Sequence, residues 1–297
     1  MKKNRLQWAS LFALVCGLTL TSCGGKQSGA GDGNGQEAAA GETVPEDAIY
    51  YSQADHAKWS EGKGQRVKIQ KLAFNDKIQD AGDGEFAGNP NITDVYFAGK
   101  EFLNVGVGAF EACPNLENLH FVGNAIVDVF NDESFKGCPK LKKVDGHIKA
   151  IGLNAFDGCE SLETVITYDD LSQVRGEAFA NCPNLKTVIL AMPLKDYKDG
   201  NTFKGSENIE EISIPHKVNR LLFSELKDSK NLKTVYLLAG EFYEFPDGAQ
   251  GFPAEQVDLY VMDNLVETFK ADAVWGKFKS IKPLSESQYF QANGLRK

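Results

Sequence analysis

Apolar and polar positions recur along this chain with a long, regular period. A phrase opening on Phe returns seven times. A small or polar residue usually follows three positions later, and an aliphatic residue six later in most copies. Another aliphatic comes after three more, and usually a third two beyond. Phe86, Asn89, Ile92, Val95 and Phe97 form the first copy, and Phe110, Cys113, Leu116, Leu119 and Phe121 the second. The third, Phe135, Cys138, Leu141 and Val144, is truncated at its end. The fourth runs Phe156, Cys159, Leu162, Val165 and a polar Thr167; the fifth runs Phe179, Cys182, Leu185, Val188 and Leu190. Phe203, Ser206, Ile209, Ile212 and Ile214 make the sixth. The seventh opens at Phe223, gains three residues around Lys227 and resumes at Leu232, Val235 and Leu237. Successive Phe residues lie 20 to 25 positions apart.

One such unit cannot bury its own apolar face, so neighbouring units must stack as coils and share a core. The closing aliphatic pair of each copy alternates inward along a short strand. In-register coils then build one long parallel sheet, with the Phe in a short helical or 3-10 turn opposite. A second apolar signal before each Phe, as in Val105-Gly106, Ile151-Gly152 and Val174-Arg175, marks another inward edge of the coil. Val67 to Ile78 suits an N-terminal cover, of either helix or strand type. Val257, Leu259 and Val261 alternate as a last strand, with Asn264 placed to cap a helix through Val266, Phe269 and Trp275. Phe278 and Ile281 return toward the core.

Cys113, Cys138, Cys159 and Cys182 share one repeat position, which Asn89 and Ser206 occupy in other copies. Residues of one column point the same way beside the core, where free Cys behaves as a small hydrophobe. A buried ladder of free thiols is therefore expected, although neighbouring coils are close enough for a disulfide. A column does not converge on a point, so no metal site is expected there. The outward positions between core residues are Tyr96, His120, Asp145, Ile166, Ile189, Ser213 and Tyr236. The row beside them is Asp94, Asn118, Lys143, Thr164, Thr187, Glu211 and Thr234. Tyrosines and isoleucines on a face expected to be wet point to a binding surface. Ala239 to Pro253 interrupts the repeat with Phe242, Tyr243, Phe245 and Phe252; Tyr243 and Phe245 are the candidates for a ligand rim.

The segments Ala178-Phe179-Ala180-Asn181-Cys182-Pro183-Asn184-Leu185 and Ala155-Phe156-Asp157-Gly158-Cys159 resemble the repeat of the BspA-like leucine-rich-repeat surface proteins. Tyr260-Val261, then Val266 to Ala271 and Trp275, are similar to that family's closing strand and helix. The resemblance covers roughly Phe86 to Leu284. It implies an α/β leucine-rich-repeat solenoid of about seven coils with a C-terminal strand-helix cap. It also implies a cell-surface or secreted protein, some relatives being adhesins. Proline closes the strand only at Pro215, where the family often has one in every repeat.

The N-terminus supplies an address. Lys2, Lys3 and Arg5 precede a short apolar run from Leu11 to Leu20, which reads as a signal-peptide core. Leu20-Thr21-Ser22-Cys23 resembles the bacterial lipobox, which implies that Cys23 becomes the first mature residue and carries acyl chains. Residues 1–22 are thus expected as the signal peptide and 23–63 as a tether rich in Gly, Gln, Ala and Ser, with folding able to begin anywhere after Pro45. The repeat domain is assigned to 64–287 and a C-terminal tail to 288–297. A formal net charge of -9 argues against a nucleic-acid partner. The four histidines, His56, His120, His147 and His216, fall at unrelated repeat positions and read as scattered surface residues. No zinc-protease helix, phosphate loop or nucleophile elbow is present, and Gly82-Asp83-Gly84 lacks the spaced carboxylates of a calcium loop. The expectation is a monomeric, lipid-anchored binding protein of the outer membrane or cell surface. It takes a protein or glycan ligand, needs no cofactor or metal and is not an enzyme. A scaffold of an envelope complex is the alternative, and an envelope hydrolase a more distant one.

Overall fold

The computed structural model describes residues 43–51, 68–75, 80–100, 103–168, 171–190, 196–197, 200–215, 219–227, 229–245 and 251–287, all within one compact unit, Ala39–Arg296. Cys23 and the signal segment lie outside the described residues. The described strands form one parallel sheet of sixteen, folded into two strips. The broad strip carries β1 (Ile49–Tyr50), β2 (Lys71–Phe74), β4 (Asp94–Phe97), β6 (Asn118–Phe121), β8 (Lys143–Ile151), β9 (Thr164–Thr167), β11 (Thr187–Ile189), β13 (Glu211–Pro215), β14 (Thr234–Leu238), β15 (Asp258–Val261) and β16 (Ser280–Pro283), stacked in that order. The narrow strip carries β3 (Asp80–Ala81), β5 (Leu103–Val105), β7 (Ile126–Phe130), β10 (Gln173–Val174) and β12 (Asp196–Tyr197). The sequence shows this strip only as an inward edge. β8 pairs with β6 and β9 at its start and with β7 and β10 at its end, so it turns the corner between the strips.

The Phe residues form a stacked column inside the coils. Phe110, Phe135, Phe156 and Phe179 lie 5.3 to 5.4 Å apart, with ring planes within 7° of parallel. Each of the first six repeat Phe residues sits among hydrogen-bonded turns rather than in a helix. The residues two before and two after it adopt left-handed backbone in every one of the first six copies. The second of these positions is Gly88, Ala112, Gly137, Gly158, Asn181 and Gly205, since only a residue tolerant of positive φ can close this turn.

The cysteine column is as expected: all four thiols are free and buried. Each donates to the carbonyl of the Phe one coil earlier, Cys113 to Phe86, Cys138 to Phe110, Cys159 to Phe135 and Cys182 to Phe156, at 3.1 to 3.3 Å. Ser206 Oγ donates to Phe179 in the same way at 2.8 Å. A small donor at this position gives a second hydrogen bond to carbonyls that already accept the backbone N–H three residues on, as Phe86 does from Asn89; the Phe179 carbonyl takes Ser206 Oγ while the Cys182 N–H turns to that hydroxyl.

The truncated third copy has a local cause. Gly146 takes the place of its third aliphatic, and a Cβ there would lie 2.4 Å from the ring of Phe121. The neighbouring ring fills the space instead. In the seventh copy, α1 (Asn219–Leu226) replaces the Phe turn. In earlier coils the Phe N–H donates to a carbonyl of the next coil, as Phe156 does to Ala178. The helix offers Phe203 no such carbonyl, and Glu225 Oε2 accepts that N–H at 3.3 Å.

Both ends depart from expectation. Folding starts before residue 64: β1 pairs with β2, and Tyr51 is buried with its hydroxyl on Glu85. The N-terminal cover is a strand, because Leu72 and Phe74 continue the inward columns of Val95 and Phe97. At the other end α2 (Val266–Ala271) has no side-chain cap; Asn264 lies in a 3-10 turn before it, and Leu265 precedes the helix. β16 adds a strand beyond the predicted last one. Leu284 to Glu286 is a docked 3-10 turn, and residues 288–297 lie outside the described ones.

Candidate functional site

Register brings the predicted outward row together. Tyr96 pairs with His120, Asp145 with Ile166, Ile166 with Ile189, and Ser213 with Tyr236. Exposure is where the expectation fails. Tyr96, Ile166, Ile189, Ser213 and Tyr236 are all buried, although they face away from the main core. Ile166, Ile189, Tyr236, Leu238 and Leu284 form a second apolar cluster, with Tyr168, Tyr260 and Met262 against it. Strand alternation places a side chain on a face but cannot say whether chain from elsewhere covers that face. Ser213 points its hydroxyl at the backbone of Leu190, 2.8 Å from both its N and its O, and so is committed to the fold.

The aromatic insertion packs against the end of the solenoid, with Phe242, Tyr243 and Phe245 partly buried. Phe245 packs on Trp275 at 4.8 Å and on Phe223 at 5.2 Å. Tyr243 packs edge-on against Trp275, and its carbonyl accepts the indole N–H at 2.9 Å. The last coil has no successor, so these rings bury its open end.

The outer face therefore divides. Its half from β4 to β8 is polar and partly open. On its first strand Asp94 receives Thr93 Oγ1 at 2.6 Å and Asn118 Nδ2 at 2.9 Å, with His120 Nε2 at 3.0 Å. Burial pushes the Asp94 carboxyl upward, but these three hydrogen bonds outweigh it and hold the group below the ordinary aspartate value. Tyr96 stacks on His120 at 4.3 Å, with planes 6° apart. Two coils on, Asp145 accepts the Tyr168 hydroxyl at 2.9 Å and the Lys143 ammonium at 2.6 Å. His147 stacks on Tyr168 at 4.7 Å. Burial first, and the Asp145 charge second, raise the Tyr168 hydroxyl well above its usual value.

Two histidines are thus not scattered: each lies flat on a tyrosine beside a carboxylate. Sequence reasoning missed His147 and Tyr168 because their row lies two residues beyond the one it followed. The register that pairs Gly146 with Thr167 carries them side by side. The half from β9 to β16 carries the sealed apolar cluster, with Tyr236 donating to Glu211 at 2.8 Å and Lys282 Nζ 5.5 Å from the Tyr260 ring centre.

Among the described residues, no three or more His, Cys, Asp or Glu are grouped to hold a metal, and no helix is long and apolar enough to cross a membrane. The profile of the family described as BspA type leucine rich repeat region matches in six copies, over residues 65–147 and 128–249. Solved structures similar to the chain include the pneumococcal vaccine antigen PcpA, at 14% identity and TM-score 0.38, covering 80% of this chain and 82% of that one. A leucine-rich repeat protein from Bacteroides ovatus is similar at 19% identity and TM-score 0.41, over 72% of this chain and 60% of that one. Another, from Eubacterium ventriosum, is similar at 16% identity and TM-score 0.34, over 79% and 77%. No curated protein sequence matches the chain. The matched copies fall on the coils whose turns, thiol column and strands are described above, and the chain belongs to the BspA-type leucine-rich-repeat family.

Proposed function

We propose that this protein is a lipid-anchored binding protein of the outer membrane or cell surface, attached through Cys23. Its ligand is a protein or glycan of a host or bacterial surface. We place the binding site on the polar half of the outer face, around Asp94, His120, Asp145, His147 and Tyr168. One observation carries this reading: aromatic rings lie flat beside carboxylates and amides on a partly open face. The Asp94 and His120 side chains are 16% and 20% exposed. Rings offer apolar contact, and the flanking acceptors and donors fix orientation, the combination that concentrates energy at binding surfaces. The register fixes the groups on parallel strands, so little ordering cost is left to binding.

The test has two arms. The purified protein is screened against matrix proteins, glycans and bacterial cells, with His147→Ala and Asp145→Asn alongside the native chain. Saturable binding that weakens in both variants supports the site; no saturable partner sinks the reading. In cells, lipid incorporation should vanish in Cys23→Ala, and protease treatment of intact cells should remove the domain if it faces outward. A domain fully protected from protease would place it inside the envelope and refute the surface role.

A further inference from the structure

The open half of the outer face is rich in carboxylates, yet each already holds donors. Asp94 accepts from Thr93 and Asn118, with His120 Nε2 beside it. Asp145 meets the Lys143 ammonium and the Tyr168 hydroxyl, and at the far end of β8 Lys149 lies 3.2 Å from Asp128. The charges are thus satisfied within the face, and a charged ligand has to break one of these pairs. Apolar anchors are scarce as well. Among the described residues, the large apolar side chains that stand exposed are Ile49, Tyr50, Val107 and Val274, and none belongs to this half. A peptide that binds through buried aromatic or aliphatic anchors finds little to seat it here. Hydrogen-bonding capacity is what remains. An ionised carboxylate offers about four acceptor sites. Among the described residues, Asp145 fills one on each oxygen, Oδ1 from Tyr168 and Oδ2 from Lys143. One site on each oxygen is left, side by side, on a side chain that is 26% exposed. The stacked rings of His147 and Tyr168, both half-buried, adjoin it.

We infer that the ligand of this face is a neutral oligosaccharide, held by two adjacent ring hydroxyls that donate to Asp145 Oδ1 and Oδ2, with its C–H side against the His147 and Tyr168 rings. This rests on the binding reading above and narrows its ligand to one chemical class. A hydroxyl both donates and accepts, so a sugar can give protons to Asp145 while taking one from Lys143, whose side chain is 55% exposed. Hydrogen bonds to a carboxylate are roughly twice as strong as neutral ones, so the face supplies the charge and the ligand needs none. The ring C–H groups give a sugar an apolar side that suits an aromatic pair. A sulfated or sialylated glycan would meet Asp94 and Asp145 as like charges. A cationic peptide would have to take Asp145 from Lys143.

The experiment applies the full chain to an array of neutral, sialylated and sulfated oligosaccharides, and to matrix glycoproteins before and after enzymatic removal of their glycans. The chain should bind neutral oligosaccharides and lose its hold on the deglycosylated proteins. Affinity should change less than about two-fold between about 0.05 M and about 0.5 M salt, because no ligand charge is screened. Asp145→Asn turns one acceptor oxygen into a donor and should weaken binding about ten-fold. His147→Ala should weaken it as well, while Val274→Ala, outside this face, should leave it unchanged. If Asp145→Asn does not fold, His147→Ala decides. Binding that survives deglycosylation, is confined to charged glycans or falls steeply with salt overturns the inference and leaves a binding face of another specificity. Neutral-glycan binding that neither substitution weakens overturns it too, by placing the sugar elsewhere. Silence of every probe removes the binding reading itself, and this inference with it.

Discussion

Restoring the repeat's missing aliphatic should harm this protein. Gly146 interrupts a column held elsewhere by Phe97, Phe121, Thr167, Leu190 and Ile214, so a consensus argument would put a side chain there. The structure predicts the opposite. A Cβ on Gly146 would lie 2.4 to 2.5 Å from three ring atoms of Phe121, where carbon atoms normally sit about 3.5–4.0 Å apart. The ring would have to move by about 1 Å. It is held by Phe97 at 5.2 Å and Phe130 at 6.4 Å. Overpacking of this kind costs about 1–3 kcal/mol, while Gly→Ala returns about 0.4–1 kcal/mol through the unfolded chain. Gly146→Ala should thus lose about 1–2 kcal/mol. With a urea slope of about 3 kcal/mol per M, the unfolding midpoint falls by about 0.5 M. The decisive assay is a double-mutant cycle. In a Phe121→Ala background the same substitution should be neutral or stabilising, a coupling of about 1–2 kcal/mol. A neutral Gly146→Ala in the native chain, or an equal cost in both backgrounds, would refute the steric argument.

Other outcomes follow from the columns. Phe135→Ala, which opens the middle of the ring stack, should cost about 3–5 kcal/mol in urea unfolding. Ala112→Gly relieves a left-handed backbone at φ 56° and should raise stability by about 1 kcal/mol in the same assay. Cys159 and Cys182 should react with a thiol reagent only after unfolding, because burial raises Cys182 to about 12 and lifts Cys159 as well. Asp94 and Glu225 should give opposite pH slopes in thermal melts. The folded value of Asp94 lies below its unfolded one, so its contribution is present at neutral pH and is lost as pH falls through that folded value; Asp94→Asn should remove this acid limb. Burial raises Glu225 against the hydrogen bonds it accepts, so its contribution is present at low pH and lost as pH rises through the raised value. Glu225→Gln keeps an acceptor for Phe203 and should flatten that slope.

The coils, their strand register and the thiol column were legible in the chain because stacking forces every copy to solve one packing problem with similar residues at the same positions. Phe, Cys and the closing aliphatics each meet their own kind one coil away, so local period and tertiary contact coincide. Where a residue's fate depends on a different segment, the period is silent. Gly146 takes its meaning from Phe121, Glu225 from an N–H left by a helix, and Tyr243 and Phe245 from the absence of a next coil. The outward row is the clearest case. Alternation correctly put Tyr96 to Tyr236 on one face, yet whether that face is wet depends on chain that returns from the far end of the domain. Only the tertiary structure could show that its apolar half is closed and its Tyr–His–carboxylate half is not.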